Sequence, residues 1–192
     1  RDTRVTEIQP GKIMLESGES LLGDTIVVAA DATTAARLIP GLVIKEPDWR
    51  AVTGVYFAAG KSPLREAIIA LNGTGRGLVN NVCVLSDVAP DYAPPGQALV
   101  SISVLGTPAT PDIAKQIIAE LEPWFGPEVR GWRHLRTERI KRALPEQPPV
   151  VGPRGQCFRE IDGVFCCGDH LSSASIEGAL ISGLRAADAI LG

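Results

Sequence analysis

Polar and apolar residues alternate with a period of two in Arg4-Val5-Thr6-Glu7-Ile8, the pattern of a half-buried strand. Pro10-Gly11 signals a turn, residues 12–15 supply a pairing partner, and Ser17-Gly18 turns the chain again. Residues 24–30, Asp-Thr-Ile-Val-Val-Ala-Ala, form a β-branched apolar run that predicts a buried strand. A short helix over 33–38 ends before Pro40-Gly41. Further strands are predicted at 52–59, 78–85 and 99–105, separated by Gly and Pro loops. Residues 112–121 have helical spacing, with Asp112 or Thr110 as the cap and Pro123 as the stop. Residues 132–140 predict one more strand.

Pro145, Pro148, Pro149 and Pro153 mark a boundary. Beyond it, Gly163-Val164-Phe165-Cys166-Cys167 predicts a short buried strand, a polar turn runs from Gly168 to Ser175, and a helix begins near Ser175. Ile176, Leu180, Gly183, Leu184, Ala187 and Leu191 form an apolar stripe on that helix, the face expected against a sheet. The fold class is therefore mixed: α/β at the two ends, with the last part reading as Rossmann-like, and an inserted α+β segment built on an antiparallel sheet. The expected division is 1–43, 44–150 and 151–192, without internal repeats.

Composition narrows the class. The 192 residues are 45% hydrophobic, enough to fill a core. With 20 Gly and 15 Pro the chain stays below the roughly 25–30% Gly-plus-Pro of low-complexity sequence. Acidic and basic residues nearly balance, 22 against 19, so global charge points to neither nucleic acid nor an anionic membrane. No run approaches the ~20 apolar residues that span a bilayer. Residue 1 is Arg rather than Met, which suggests a fragment or processed chain. Cys83, Cys157, Cys166 and Cys167 lack zinc-ligand spacing, so no metal is expected. Read as reduced and mostly buried, they fit a cytoplasmic setting; no amphipathic segment marks a membrane-peripheral one.

Strand, polar turn and helix together make the geometry that receives nucleotide cofactors. Ligands sit beyond the carboxyl ends of strands, where a helix N-terminus offers free N–H groups and about half a positive charge. Asp169 stands at the strand end, where it would accept hydrogen bonds from sugar hydroxyls or simply cap the turn. Gly178 and Gly183 would let the helix approach a planar ring or a neighbouring strand. His170 beside Asp169 invites acid–base chemistry, but shaping the loop is the better reading. Trp49, Trp124 and Trp132 read as packing residues. Arg130 to Arg142 is strongly basic, which fits a solvated strand face or a docking surface better than a nucleic-acid patch.

Val164-Phe165-Cys166-Cys167-Gly168-Asp169-His170, with Ser175-Ile176-Glu177-Gly178-Ala179-Leu180-Ile181-Ser182-Gly183 after it, resembles a C-terminal FAD motif. The family is the superfamily of flavin amine oxidases, protoporphyrinogen oxidases and phytoene desaturases. Val5-Thr6-Glu7-Ile8 and residues 24–30 resemble the strand pair before its chain leaves the FAD domain. Residues 85–90 and 92–96 resemble its substrate domain. The resemblance implies that Val5 holds the adenine end through its backbone. It implies that Gly168, Asp169 and the His170 N–H serve the ribityl or phosphate side. Ser175, Ile176 and Ala179 would lie at the flavin, with the Ile176 N–H facing the pyrimidine carbonyl. A helix dipole aimed there favours the reduced ring.

Departures from the family sharpen the expectation. An aromatic residue usually precedes Glu-Gly-Ala in the amine oxidases, where this chain has Ser175-Ile176. Their flavin-facing lysine has no counterpart in residues 52–59; Lys61 lies beyond that strand. Both points favour a large apolar substrate over an amine. The family's G-x-G-x-x-G is also missing. Gly73-Thr74-Gly75-Arg76-Gly77-Leu78 is the nearest match and reads as a glycine-rich hairpin loop. The expected function is hydride removal from an apolar small molecule by an FAD enzyme, of which this chain is the C-terminal half. Its partner would be an N-terminal half or a second chain. A flavin amine oxidase and a non-catalytic assembly module are the alternatives. No side chain stands out as a catalytic base.

Overall fold

The structure is a computed structural model that describes residues 2–43, 48–147 and 158–192. The expected borders at 44 and 150–151 fall outside those residues, as do Pro148, Pro149, Pro153 and Cys157. Several small sheets and helices form two compact units, Arg1–Asp48 with Pro145–Gly192, and Trp49–Leu144.

The first unit begins with a meander. β1 (Val5–Gln9) pairs antiparallel with β2 (Lys12–Leu15), and β2 pairs with β3 (Ser20–Leu22). β3 escapes the sequence reading because all three of its residues are exposed, so it has no apolar alternation. β4 (Ile26–Val28) is shorter than the run at 24–30. Ile26 and Val28 are buried while Val27 is 49% exposed, so the expected two-sided burial is corrected to one side. α1 (Ala32–Leu38) follows, capped by Asp31, whose Oδ1 accepts from the Thr34 N–H at 3.1 Å.

The second unit is a five-stranded sheet carrying one helix. Its strands are β5 (Trp49–Ala59), β6 (Ile69–Leu71), β7 (Val79–Val84), β8 (Ala98–Leu105) and β9 (Arg133–Pro145), in the order β6-β7-β8-β5-β9. Burial alternates along β5 and β8, so one face is a closed core and the other is half-open. Val55, Phe57, Val82, Val100 and Ile102 of the sheet pack against Ile113, Ile117 and Leu121 of the long helix. A short helix, α2 (Leu85–Val88), precedes β8; the long helix is α3 (Ile113–Phe125).

α3 departs from the sequence reading at both ends. Asp112 is left-handed, with φ 55°, and its side chain makes no capping hydrogen bond; its carboxylate pairs instead with Lys115. Pro123 lies inside the helix, in the last turn before Gly126. A proline there forfeits one late hydrogen bond, and the helix still carries the fully buried Leu121 into the core. The glycine-rich stretch at 73–77 connects the antiparallel strands β6 and β7, as expected of a hairpin loop. The basic strand β9 lies at the sheet edge with most of its residues exposed.

The chain returns to the first unit through β10 (Phe158–Ile161) and β11 (Val164–Cys167). The two pair antiparallel across Asp162-Gly163, whose φ values of 51° and 76° suit a tight hairpin turn. β11 also pairs in parallel with β4, Val164 opposite Ile26 and Cys166 opposite Val28. Val164 and Cys166 enter the core with Ile8, Ile26, Val28, Ala35 and Leu38. All four β11 residues are buried, which matches the continuous apolar run.

α4 (Ile176–Leu191) packs on β10 and β11, but not by the expected stripe. Its buried residues are Gly178, Ser182 and Ala186, spaced one turn apart. The large apolar residues Ile176, Leu180, Leu184 and Leu191 are exposed. Small side chains let the helix lie close to the strands, and periodicity alone could not tell this narrow face from the broad apolar one.

Candidate cofactor site

Parallel strands β4 and β11 end side by side. A Cβ placed on Gly168 would meet the Ala30 carbonyl at 3.4 Å and the His170 ring at 2.6 Å. Gly168 therefore sits where strand end, turn and imidazole leave no room for a side chain. Its N–H donates to the buried Ser182 hydroxyl of α4 at 2.8 Å, tying the strand end to the helix.

Backbone hydrogen bonds set the turns within the loop from Gly168 to Ser175. A 3₁₀ turn over Asp169–Leu171 is closed by Leu171 N–H to Gly168 O at 3.1 Å and Ser172 N–H to Asp169 O at 3.0 Å. Ser175 N–H reaches Ser173 O at 2.6 Å. Ser175 then caps α4, its hydroxyl accepting the Gly178 N–H at 3.0 Å while its carbonyl accepts from Ala179 at 3.0 Å. Among the described residues, the N–H groups of Ile176 and Glu177 have no hydrogen-bond partner. Helix geometry leaves them free.

Three carboxylate and imidazole groups surround the loop. The His170 side chain is 3% exposed, its Nδ1 is 3.9 Å from Asp169 Oδ1 and its Nε2 is 3.9 Å from Cys166 Sγ. Nδ1 is buried with no hydrogen-bond partner. Burial holds His170 below the ordinary histidine range, outweighing the opposite pull of Asp169 and Asp31. Burial also pushes the Cys166 thiol up to about 11, and Cys167 upward as well. At neutral pH the pair is imidazole and thiol, both uncharged, which suits packing rather than acid–base or nucleophilic work. Asp169 keeps a partly exposed side chain at the strand end, open to a ligand.

Gly168, Asp169, His170, Ser175, Ile176 and Ala179 thus lie on one strand–turn–helix unit. Ile176 is 84% exposed, while Ala179 is exposed with its N–H used inside the helix. Val5 stands apart in sequence, yet packs against the same core as Cys166 and Leu171. Gly178 is needed for close approach, since its Cβ would clash with Ser173; a Cβ at Gly183 meets nothing within 4 Å. Sequence reasoning missed Asp31, Ser182 and Gln147. Gln147 was hidden in a proline-rich stretch that read only as a boundary.

These residues fit the polar edge of a flavin. Two free N–H groups sit at the positive end of a 16-residue helix. Exposed Ile176 and Leu180 flank them with apolar surface for a planar ring. A carboxylate that could accept from sugar hydroxyls stands at the adjacent strand end.

Comparison with known proteins follows the same line. A family described as flavin containing amine oxidoreductase matches residues 1–191. No curated protein matches the chain. An oxidoreductase from Methanosarcina mazei is 16% identical, with a TM-score of 0.67 over 97% of this chain and 49% of its own. A provisionally assigned protoporphyrinogen oxidase from Exiguobacterium sp. 255-15 is 12% identical, with a TM-score of 0.67 over 98% of this chain and 46% of its own. A reduced UDP-galactopyranose mutase is 16% identical, with a TM-score of 0.55 over 74% and 34%. The chain spans about half the length, or less, of these structures.

Proposed function

The chain belongs to the flavin containing amine oxidoreductase family, and from that premise we propose that it forms part of an FAD-dependent oxidoreductase that removes hydride from a large apolar substrate. The observation that carries the cofactor reading is the exposed N-terminus of α4, where the Ile176 and Glu177 N–H groups stand free beside Asp169.

Bound FAD supplies the two-electron acceptor. The chain supplies the electrostatics. The positive end of α4, worth about half a charge, would favour negative charge on the pyrimidine side of the ring. Asp169 would accept hydrogen bonds from the ribityl side of that cofactor, with the His170 N–H as a further donor. Gly168 lets the strand end come close, and Ser175 fixes the first turn of the helix. Val5 would hold the adenine end through its backbone. The half-open sheet face of the second unit offers a substrate surface with Ala58, Leu99 and Leu105 beside Tyr56 and Ser101.

The ADP-gripping βαβ unit is absent from the described residues, and an N-terminal half or partner chain supplies it. Apolar surface supports that pairing. Ile176, Leu180, Leu184 and Leu191 expose one side of α4, and β4 ends its sheet with Val27 uncovered. Ser175-Ile176, where amine oxidases carry an aromatic residue, supports an apolar substrate over an amine.

Anaerobic reduction of the complete flavoprotein tests the substrate class. Apolar polyenes or porphyrinogens should bleach the oxidised flavin. Bleaching by amines alone would overturn the apolar reading.

A further inference from the structure

Gln147, two residues past the end of β9, makes three hydrogen bonds to a single loop. Its Nε2 donates to the carbonyls of Asp169 and Ser172, each at 3.3 Å, and its Oε1 accepts from the Ala174 N–H at 2.7 Å. A primary amide combines two donors with an acceptor in one plane, so one side chain can satisfy both kinds of backbone group. All three partners are main-chain atoms, so Gln147 fixes the shape of the loop whatever its side chains. Its own position is fixed in turn. The Glu146 N–H donates to Asp48 O at 2.6 Å, joining the points where the chain leaves and re-enters the first unit.

We infer that Gln147 is a positioning residue for the flavin, which it need not touch. It spans the loop between the Asp169 end and the entry to α4. Asp169 and the free N–H groups at Ile176 and Glu177 are thereby held in one arrangement. The inference rests on the proposed flavin site. It adds a residue that lies outside the strand–turn–helix motif and more than twenty positions before Asp169 in the chain.

Two substitutions separate the bonds. Gln147→Met keeps the length and removes every hydrogen bond. Gln147→Glu keeps an acceptor for Ala174 but loses both donors, setting carboxylate oxygens against the Asp169 and Ser172 carbonyls. The side chain is exposed, so neither change removes core packing. The test is FAD titration of the complete apoprotein, followed by the reduction potential of the bound flavin. Q147M should weaken FAD binding about tenfold, the equivalent of about one net hydrogen bond, and Q147E should weaken it further. Both should lower the potential, because the helix N-terminus is no longer held at the ring. Unchanged affinity would overturn the inference, as would weaker binding with an unchanged potential, which would mean a merely structural loop contact. Failure of the unsubstituted protein to take up FAD would instead overturn the flavin reading itself.

Discussion

Gly178 lies so close to Ser173 that a Cβ added to it would stand 1.9 Å from the Ser173 carbonyl oxygen. The atom in the way is backbone, so it cannot swing aside like the end of a side chain. This contact sets how the loop from Gly168 to Ser175 folds onto the first turn of α4. Gly178→Ala should therefore destabilise the protein by about 1–3 kcal/mol, despite the better helix propensity of alanine. Gly183 on the same helix is the control, having nothing within 4 Å of its Cβ position. Gly183→Ala should be neutral or stabilising by up to about 1 kcal/mol. Urea denaturation midpoints of the two variants check the contrast, and equal losses would contradict it.

His170 makes stability depend on pH. Its folded pKa is lowered by burial, so below about 6.5 the unfolded chain takes up a proton that the folded one resists. The stability this group contributes is complete above its unfolded pKa and declines as pH falls toward the folded value. Acidification from pH 7 to 5 should lower the unfolding midpoint. His170→Phe, which cannot protonate, should flatten that slope relative to the parent. Identical slopes would remove His170 from the account.

Glu120 of α3 accepts from the Leu78 N–H at 2.7 Å and the Val79 N–H at 3.1 Å, holding the β6–β7 hairpin against the helix. Glu120→Ala leaves both donors without that partner and should cost about 1–3 kcal/mol. Thermal unfolding measures the loss. A change below a few tenths of a kcal/mol would show that water replaces the carboxylate.

Thiol labelling should separate the described cysteines. Cys166 and Cys167 are buried on β11 with their thiols pushed up by burial, while Cys83 is half-buried on the open side of its sheet. Iodoacetamide at neutral pH should modify Cys83 first, and the other two only after denaturation. Peptide mass mapping gives the order, and early labelling of Cys166 would contradict the packing described for β11.

Strong periodicities survived from sequence to structure. The strand positions of β5 and β8, the continuous apolar run of β11 and the start of α4 near Ser175 each arise from local chemistry that a one-dimensional pattern records. Tertiary choices did not survive so well. The α4 stripe was legible as apolar, but the helix turns its small residues Gly178, Ser182 and Ala186 to the strands. Close packing there depends on what is absent from a side chain. β3 has no pattern to read, since it pairs through its backbone while its side chains face outward. Gln147 shows the same limit at the site, because its three partners are peptide groups that leave no trace in residue type. The strand–turn–helix around Asp169 was readable, whereas the residue that braces it was not.

The loop from Gly168 and the N-terminus of α4 are proposed to hold a flavin. The most direct test is the visible absorption spectrum of the purified complete protein, with the mass of the cofactor released on denaturation. An oxidised-flavin spectrum and a released cofactor with the mass of FAD are expected. A colourless protein that stays colourless after incubation with FAD would contradict that proposal.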